Sequence, residues 1–162
     1  MTPLLWPTHG FTRVSSPYGE RIIDGRKQFH GGIDIACPNG TPVVAPFSGK
    51  ILRIWDDRRW GGGLSMSLRR SDGLYIGLAH LSGIASPERR LVGWAVGQLI
   101  NKGDAIAYSG GIPGAPGAGS SKGPHLHLTM RGPLKDRLDA LGRDIEWHDR
   151  DGRVVIPEVR RG

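Results

Sequence analysis

The chain has 162 residues, a formal net charge of +7 and a single cysteine. This length suits one domain with a real core and is short for two domains. The single thiol, Cys37, excludes an intrachain disulfide and a paired-cysteine metal site, and we expect it to be a small buried residue. The basic balance favours an anionic partner or a generally solvated basic surface, but no nucleic-acid-binding module is present and no apolar run could span a bilayer.

The first part of the chain predicts turns and an irregular lead-in. Residues 1–6 lack a basic start followed by an apolar stretch, so we expect no secretory signal peptide. Residues 16–19 predict a tight turn, and the polar run 24–27 predicts a second turn before His30. His9 fits no motif and is interpreted as a surface residue.

His30 and Asp34 form a candidate pair of metal ligands. They are four residues apart, which on a straight strand is about 13 Å and too far for one metal ion. Gly31 and Gly32 argue against a helix, where the two side chains would be neighbours. A sharp bend that uses backbone angles open to glycine would aim both side chains at one point. Imidazole and carboxylate together suit zinc.

Short strands separated by turn residues follow this pair. Residues 33–49 predict a strand, a turn and a second strand, and residues 50–55 predict another. Residues 64–68 alternate and predict a half-exposed strand. A hairpin turn at 71–73 then leads into a strand over 74–81. Many short strands and almost no helix predict an all-β domain built on antiparallel sheet.

Two features of this middle region concern a site. Strand alternation places Leu78 on the same face as His80. Residues 109–120 are rich in glycine and proline and predict a flexible loop, which is either a mobile rim of a groove or a neutral insertion. Between these features, residues 86–90 predict one helical turn, capped by Ser86 with Pro87 at its first position.

His125 and His127 are separated by one leucine and followed by another. Strand alternation puts both histidines on one face and both leucines on the other. Two interpretations are open: a pair of solvated histidines, or part of a zinc or transition-metal site. The spacing does not decide which of the two histidines binds metal.

The C-terminal segment, residues 131–162, carries weaker signals. Leucines at 134, 138 and 141 have helical spacing. A second metal site is one interpretation of the acidic run that contains His148, and a solvated turn is the simpler one; the residues concerned are Asp144, Glu146, His148 and Asp149.

Three separated segments together resemble a known family. They are the pair His30 and Asp34, the segment Gly77-Leu78-Ala79-His80-Leu81, and the segment Gly123-Pro124-His125-Leu126-His127. In this order they are similar to the zinc endopeptidases of the lysostaphin/LytM type, which cut peptide bridges in bacterial cell walls. The resemblance runs from about Ser15 to Met130. We therefore expect one zinc peptidase domain over 1–162, with a core at 15–130 and a C-terminal extension at 131–162.

The resemblance implies roles for five residues. One zinc ion (Zn2+) per chain is expected on His30, Asp34 and His127. His80 and His125 are expected beside the attacking water and the substrate, one as general base and the other as hydrogen-bond donor to the oxyanion. The chain lacks the His-Glu-x-x-His and Gly-x-Ser-x-Gly motifs, so histidine must do the proton work. The resemblance also implies a groove floored by the sheet and walled by long loops.

The implied function is zinc-dependent hydrolysis of peptide cross-links or stems of bacterial peptidoglycan. Such an enzyme acts at the cell wall or in the periplasm, either as a bacterial enzyme or as a phage endolysin or virion-associated lysin. Its expected partners are peptidoglycan peptides and anionic wall polymers, with no nucleic acid and no membrane span, and it is expected to be a monomer. The alternative is a non-catalytic wall-binding or activator module of the same fold. The sequence leaves open whether a Gly-Gly bond or a stem bond is cut.

Overall fold

The structure, a computed structural model, describes residues 3–57, 61–87 and 92–160. These residues form strands, turns and loops and no helix, so the prediction of an all-β fold is confirmed. None of the described elements is a helix that could cross a membrane. The strands are β1 (Leu4–Leu5), β2 (Arg13–Ser16), β3 (Gly19–Ile23), β4 (Arg26–His30), β5 (Gly32–Ile35), β6 (Pro42–Val44), β7 (Gly49–Asp57), β8 (Gly63–Arg69), β9 (Tyr75–Ala79), β10 (Leu81–Ile84), β11 (Leu99–Ile100), β12 (Ala105–Ser109), β13 (Leu126–Arg131), β14 (Arg137–Leu138), β15 (Trp147–His148) and β16 (Glu158–Val159).

One large sheet organises the molecule. Its strand order is β11-β7-β8-β9-β13-β5-β2-β16, and β14 pairs with β13 beside this path. Neighbouring strands are antiparallel except at the β2–β16 edge, where they run parallel. The predicted helical turn at 86–90 extends into residues outside the described ranges.

One face of the large sheet carries buried apolar residues, and the other carries ionisable residues. On one face Met66, Leu78 and Leu128 are aligned on β8, β9 and β13, and all three are buried in the core. On the other face Asp34 is paired with His127, which is paired with Ala79. Because side chains alternate along each strand, the ionisable residues lie opposite the core.

Two details of this sheet differ from prediction. Leu78 does not share a face with His80, because His80 follows the end of β9 with a positive φ of 58°, which breaks the alternation. Strand β8 is not half-exposed: Ser65 and Ser67 are 1% and 2% exposed. Its place between β7 and β9 covers it at both edges, and Ser65 Oγ donates a hydrogen bond to the carbonyl of Gly63 at 3.2 Å.

Smaller sheets flank the large one. Strands β10, β12 and β6 form a three-stranded sheet, and β3 and β4 form a separate hairpin. The turn of this hairpin lies at Asp24 and Gly25, both with positive φ, as the polar run predicted. The hairpin matters for the site because it ends at His30.

The two ends of the described chain pack together. Strand β1 pairs in parallel with β15, and the rings of Trp6 and Trp147 meet edge to face at 5.3 Å. The helical spacing at 134–141 is misleading: β14 pairs with β13, the φ of Lys135 is 66°, and Leu134 is 90% exposed. This leucine therefore contributes nothing to a buried helical face, and the segment forms a hairpin with β13.

Candidate metal centre and active site

Five ionisable side chains meet in one cleft on the face of the large sheet that lies opposite the core. The cleft has a volume of about 860 Å³. His30 stands at the end of β4, Asp34 in β5 and His127 in β13, while His80 follows β9 and His125 precedes β13. The fold thus brings together all five residues that the sequence motifs single out.

Three of these residues form a compact group of possible metal donors. His127 Nδ1 lies 2.8 Å from Asp34 Oδ1, and His30 Nε2 lies 3.3 Å from both of these atoms. A tetrahedral zinc ion with bonds of about 2.0–2.1 Å separates its ligand atoms by about 3.3 Å. The donor types fit such an ion, and two of the three sides of the triangle match this separation, so the group could bind a metal.

The convergence of His30 and Asp34 depends on Gly32 and not on Gly31. The chain leaves the β3–β4 hairpin after His30 and enters the large sheet at Gly32. Neither Gly31 nor Gly32 has a positive φ, so the expectation of a glycine-only backbone angle is wrong. The requirement at Gly32 is space, because a Cβ there would lie 2.4 Å from the carbonyl oxygen of Leu128.

Hydrogen bonds fix the orientation of the possible ligands. His30 Nδ1 donates to the carbonyl of Pro17 at 2.9 Å, which leaves the Nε2 lone pair directed at the other two donors. Burial raises the pKa of Asp34, but the neighbouring imidazoles of His127, His30 and His125 outweigh this effect. The pKa of this carboxyl is therefore held well below its usual range.

His80 is held as a neutral imidazole. Its Nδ1 donates to the carbonyl of Ala118 at 2.7 Å, so Nε2 remains as the acceptor. Burial lowers the pKa of His80 to about 4 and outweighs the hydrogen bond to Ala118, which raises this pKa. His80 is therefore unprotonated at neutral pH and presents Nε2 as a hydrogen-bond acceptor.

The glycine-rich loop has a role that the sequence interpretation missed. The carbonyl of Gly117 accepts a hydrogen bond from the amide of Leu64 at 2.9 Å, and the amide of Ser120 donates to the carbonyl of Gly61 at 3.0 Å. Ala118 between them is 1% exposed. This end of the loop is packed on the sheet, and its backbone positions the ring of His80. A run of small residues at 117–119 is the only signal that the sequence offers for such close packing.

Enlarging Gly119 should therefore damage the site from a distance. Its φ is 58°, and a Cβ would lie 2.4 Å from the amide nitrogen of Gly63. We expect Gly119→Val to displace the carbonyl of Ala118 and to lower any catalytic activity of this site by about 100-fold, because small shifts of catalytic groups are costly. Gly114→Val is the matched control, since Gly114 has a similar positive φ of 79° but open space around it. Equal activities of the two variants would contradict this role of the loop.

His125 lies between His80 and the carboxylate. Its Nδ1 donates to the carbonyl of Gly123 at 2.7 Å, and its Nε2 is 3.4 Å from Asp34 Oδ1. The rings of His125 and His80 are 4.8 Å apart. The Nδ1 of His125 is thus held by a backbone carbonyl, and its Nε2 lies beside the carboxylate of Asp34.

The remaining candidates lie elsewhere. His9 is exposed, as predicted, and Cys37 is buried. His148 lies in β15 and is half-buried, with Nε2 3.0 Å from Glu146 Oε1, so among the described residues it belongs neither to a second group of metal donors nor to the solvated turn that the sequence suggested. Within residues 3–57, 61–87 and 92–160, the only group of three possible metal donors is His30, Asp34 and His127.

A cleft on an antiparallel sheet, with two imidazoles and a carboxylate converging beside two further histidines, is the arrangement of a metallopeptidase. The sequence pattern of peptidase family M23 matches residues 28–139. The chain belongs to this family. The resemblance to lysostaphin/LytM-type peptidases noted in the sequence is thereby confirmed.

Relatives with known names support this assignment. The DD-carboxypeptidase/endopeptidase Mpg of Neisseria meningitidis is 35% identical over 123 residues, which cover 75% of this chain and 25% of Mpg. A zinc-containing peptidase from Vibrio cholerae has a TM-score of 0.69 and 26% identity, covering 86% of this chain and 39% of that one. The catalytic domain of the antimicrobial peptidase lysostaphin from Staphylococcus simulans has a TM-score of 0.61 and 26% identity, covering 80% and 90%. The chain spans only about a quarter of the length of Mpg.

Proposed function

We propose that this chain is a zinc-dependent endopeptidase that hydrolyses peptide cross-links or stems of bacterial peptidoglycan. The observation that carries the proposal is the convergence of His30, Asp34 and His127 within 3.3 Å of one another, beside His80 and His125. Such a domain acts at the cell wall or in the periplasm. A monomer suffices, because every proposed site residue comes from one chain.

Each proposed ligand presents one donor atom to the ion: Nε2 of His30, an oxygen of Asp34 and Nδ1 of His127. Zinc bound there supplies a Lewis acid that polarises the scissile carbonyl and lowers the pKa of the attacking water. His30 is kept in the required tautomer by Pro17. The hydrogen-bonded environment of Asp34 keeps it ionised, which a metal ligand requires.

The two remaining histidines have different roles: one is the general base and the other is a hydrogen-bond donor. His80, neutral and with Nε2 free, accepts the proton of the attacking water. His125, whose Nε2 lies 3.4 Å from Asp34 Oδ1, is the donor of a hydrogen bond to the developing oxyanion. This division follows from the different partners of the two rings, Ala118 for His80 and Gly123 with Asp34 for His125.

The names of the relatives support a peptidoglycan substrate. Mpg is named a DD-carboxypeptidase/endopeptidase, and lysostaphin is an antimicrobial peptidase. Delivery as a phage endolysin or virion-associated lysin belongs to the same proposal as one route to the wall. The alternative, a non-catalytic module, is less well supported because the metal-binding group and both further histidines are all in place.

Digestion of purified cell walls tests the proposal. Walls with diaminopimelate stems and walls with glycine bridges are each incubated with the zinc-loaded protein, and the fragments are identified by mass spectrometry. New peptide ends from either wall support an endopeptidase. Intact walls and intact peptides of both kinds would contradict it.

The net charge leads to a separate prediction about salt. The +7 chain should be attracted to anionic wall polymers, and exposed charges are screened beyond about 8 Å at physiological ionic strength. Activity on whole walls should therefore fall as salt rises, while cleavage of a short neutral peptide should change little. Both rates are measured across a salt series. A parallel fall on both substrates, or no fall on walls, would contradict this use of the charge.

The sequence offers six arginines in predicted turns or at strand ends for this attraction: Arg58, Arg59, Arg69, Arg70, Arg89 and Arg90. Arg69 is exposed, whereas Arg70 makes a paired contact with Asp72 at 2.6 and 2.8 Å and is partly neutralised. The other predicted contributors lie outside the described residues: Arg58, Arg59, Arg89 and Arg90.

A further inference from the structure

The proposed active-site cleft is lined by more basic side chains than acidic ones. Its described lining includes three cations, Arg21, Lys122 and Arg160, and one acid, Asp34. Lys122 is paired with Asp24 at 2.9 Å, and both side chains are largely exposed. Among the described residues, Arg21 has an ion pair only with Asp34, and Arg160 has none. A cleft of this charge favours an anionic ligand.

Arg21 is the cation held closest to the metal-binding group. It lies on β3, its side chain is 27% exposed, and its Nη1 is 3.5 Å from Asp34 Oδ2. The same nitrogen donates to Ser16 Oγ at 2.9 Å, and Nε donates to Gln28 Oε1 at 3.1 Å. Gln28 is the cross-strand partner of Arg21 in the hairpin. The guanidinium is therefore fixed in position before any ligand arrives.

The guanidinium keeps donors to spare. Arginine has five N–H groups in a planar fork, and the contacts of Arg21 use only Nε and Nη1. In the part of the chain that the structure describes, its Nη2 has no hydrogen-bond partner. The 3.5 Å contact with Asp34 is also long for a strong ion pair, so Asp34 does not fully neutralise the positive charge of the Arg21 guanidinium. A guanidinium with free N–H groups can bind a carboxylate through parallel hydrogen bonds.

We propose that Arg21 binds a carboxylate of the substrate and so selects acidic stem peptides over neutral glycine bridges. This inference rests on the proposed peptidase function. Since Arg21 touches Asp34, and one extended residue spans about 3.5 Å, the carboxylate lies within about two residues of the scissile bond. Arg160, exposed at the same cleft, adds long-range attraction for the same acidic peptide.

Two matched peptides test the inference. The first is a synthetic cross-linked stem dimer that contains diaminopimelate with its carboxylates free, and the second is the same dimer with those carboxylates amidated. The wild-type protein should cleave the free acid with a kcat/KM about 10- to 100-fold higher, as expected for hydrogen bonds to a charged group. Arg21→Gln should abolish most of this preference while retaining the metal, and Arg21→Lys should restore part of it. Lys50→Gln, which removes an exposed cation of β7 outside the cleft, should keep the wild-type preference.

The outcomes separate this inference from the proposed function. Equal cleavage of both dimers by the wild type would overturn the role of Arg21 and leave the peptidase intact. A loss in Arg21→Gln that is equal for both dimers would show that Arg21 acts only through Asp34, and this too would overturn the inference. If the wild type cleaves none of the three substrates, neither of the two dimers nor a pentaglycine peptide, the result would instead contradict the proposed peptidase function.

Discussion

The double variant Asp34→Ala/His127→Ala should contain no stoichiometric zinc, while the wild type should bind one ion per chain. Removing two of three proposed donors leaves His30 alone, and a single imidazole does not retain zinc against dialysis. Metal analysis by mass spectrometry after dialysis gives the stoichiometry. Circular dichroism checks that the variant remains a β protein.

A matched double variant controls for the loss of an acid and a histidine. His9→Ala/Asp72→Ala removes the same two residue types at exposed positions away from the cleft and should keep one zinc ion. Stoichiometric zinc in Asp34→Ala/His127→Ala would refute the ligand assignment, whatever the activity of that variant.

Replacement of His80 or His125 should have the opposite profile, with metal kept and activity lost. Neither is a proposed ligand, and the loss of a general acid or base typically costs about 10²–10⁴ in rate. Wall-lytic rate and zinc content are measured on the same preparations of His80→Ala and His125→Ala. His148→Ala, a histidine outside the cleft, should retain both.

Two checks make this prediction sharper. Because His80 has a φ of 58°, the variant His80→Asn separates loss of the imidazole from backbone strain, since asparagine tolerates that conformation. It should be as inactive as His80→Ala. If instead His125→Ala loses zinc and His127→Ala keeps it, the roles of the two strand histidines are reversed.

The sequence anticipated the residues of the candidate site better than their surroundings. His30, Asp34 and the pair His125 and His127 stand out because local spacing and strand alternation restrict where such side chains can point. Contacts between residues far apart in the chain produce no such local pattern in the sequence. The hydrogen bond from His80 to Ala118 joins residues 38 positions apart, and the separation of Arg21 from Asp34 is set by the meeting of two sheets.

The errors in the fold have the same origin. Alternation put Leu78 beside His80, but a single left-handed residue at the strand end reverses the face. Apolar spacing at 134–141 suggested a helix, although Leu134 is exposed and the segment pairs with β13. Periodicity describes a continuous element, and it fails where tertiary contacts interrupt one.

The pairing of the chain ends limits how this domain can be shortened or fused to other proteins. Ser16 and Pro17, which contact Arg21 and His30, lie before the segment matched by the family pattern at 28–139. Strand β16, at the far end of the described chain, covers the edge of β2 that supports them. An expression fragment trimmed to the family boundaries would therefore lack residues that support its own cleft. The transferable unit for domain grafting is the whole span from β1 to β16.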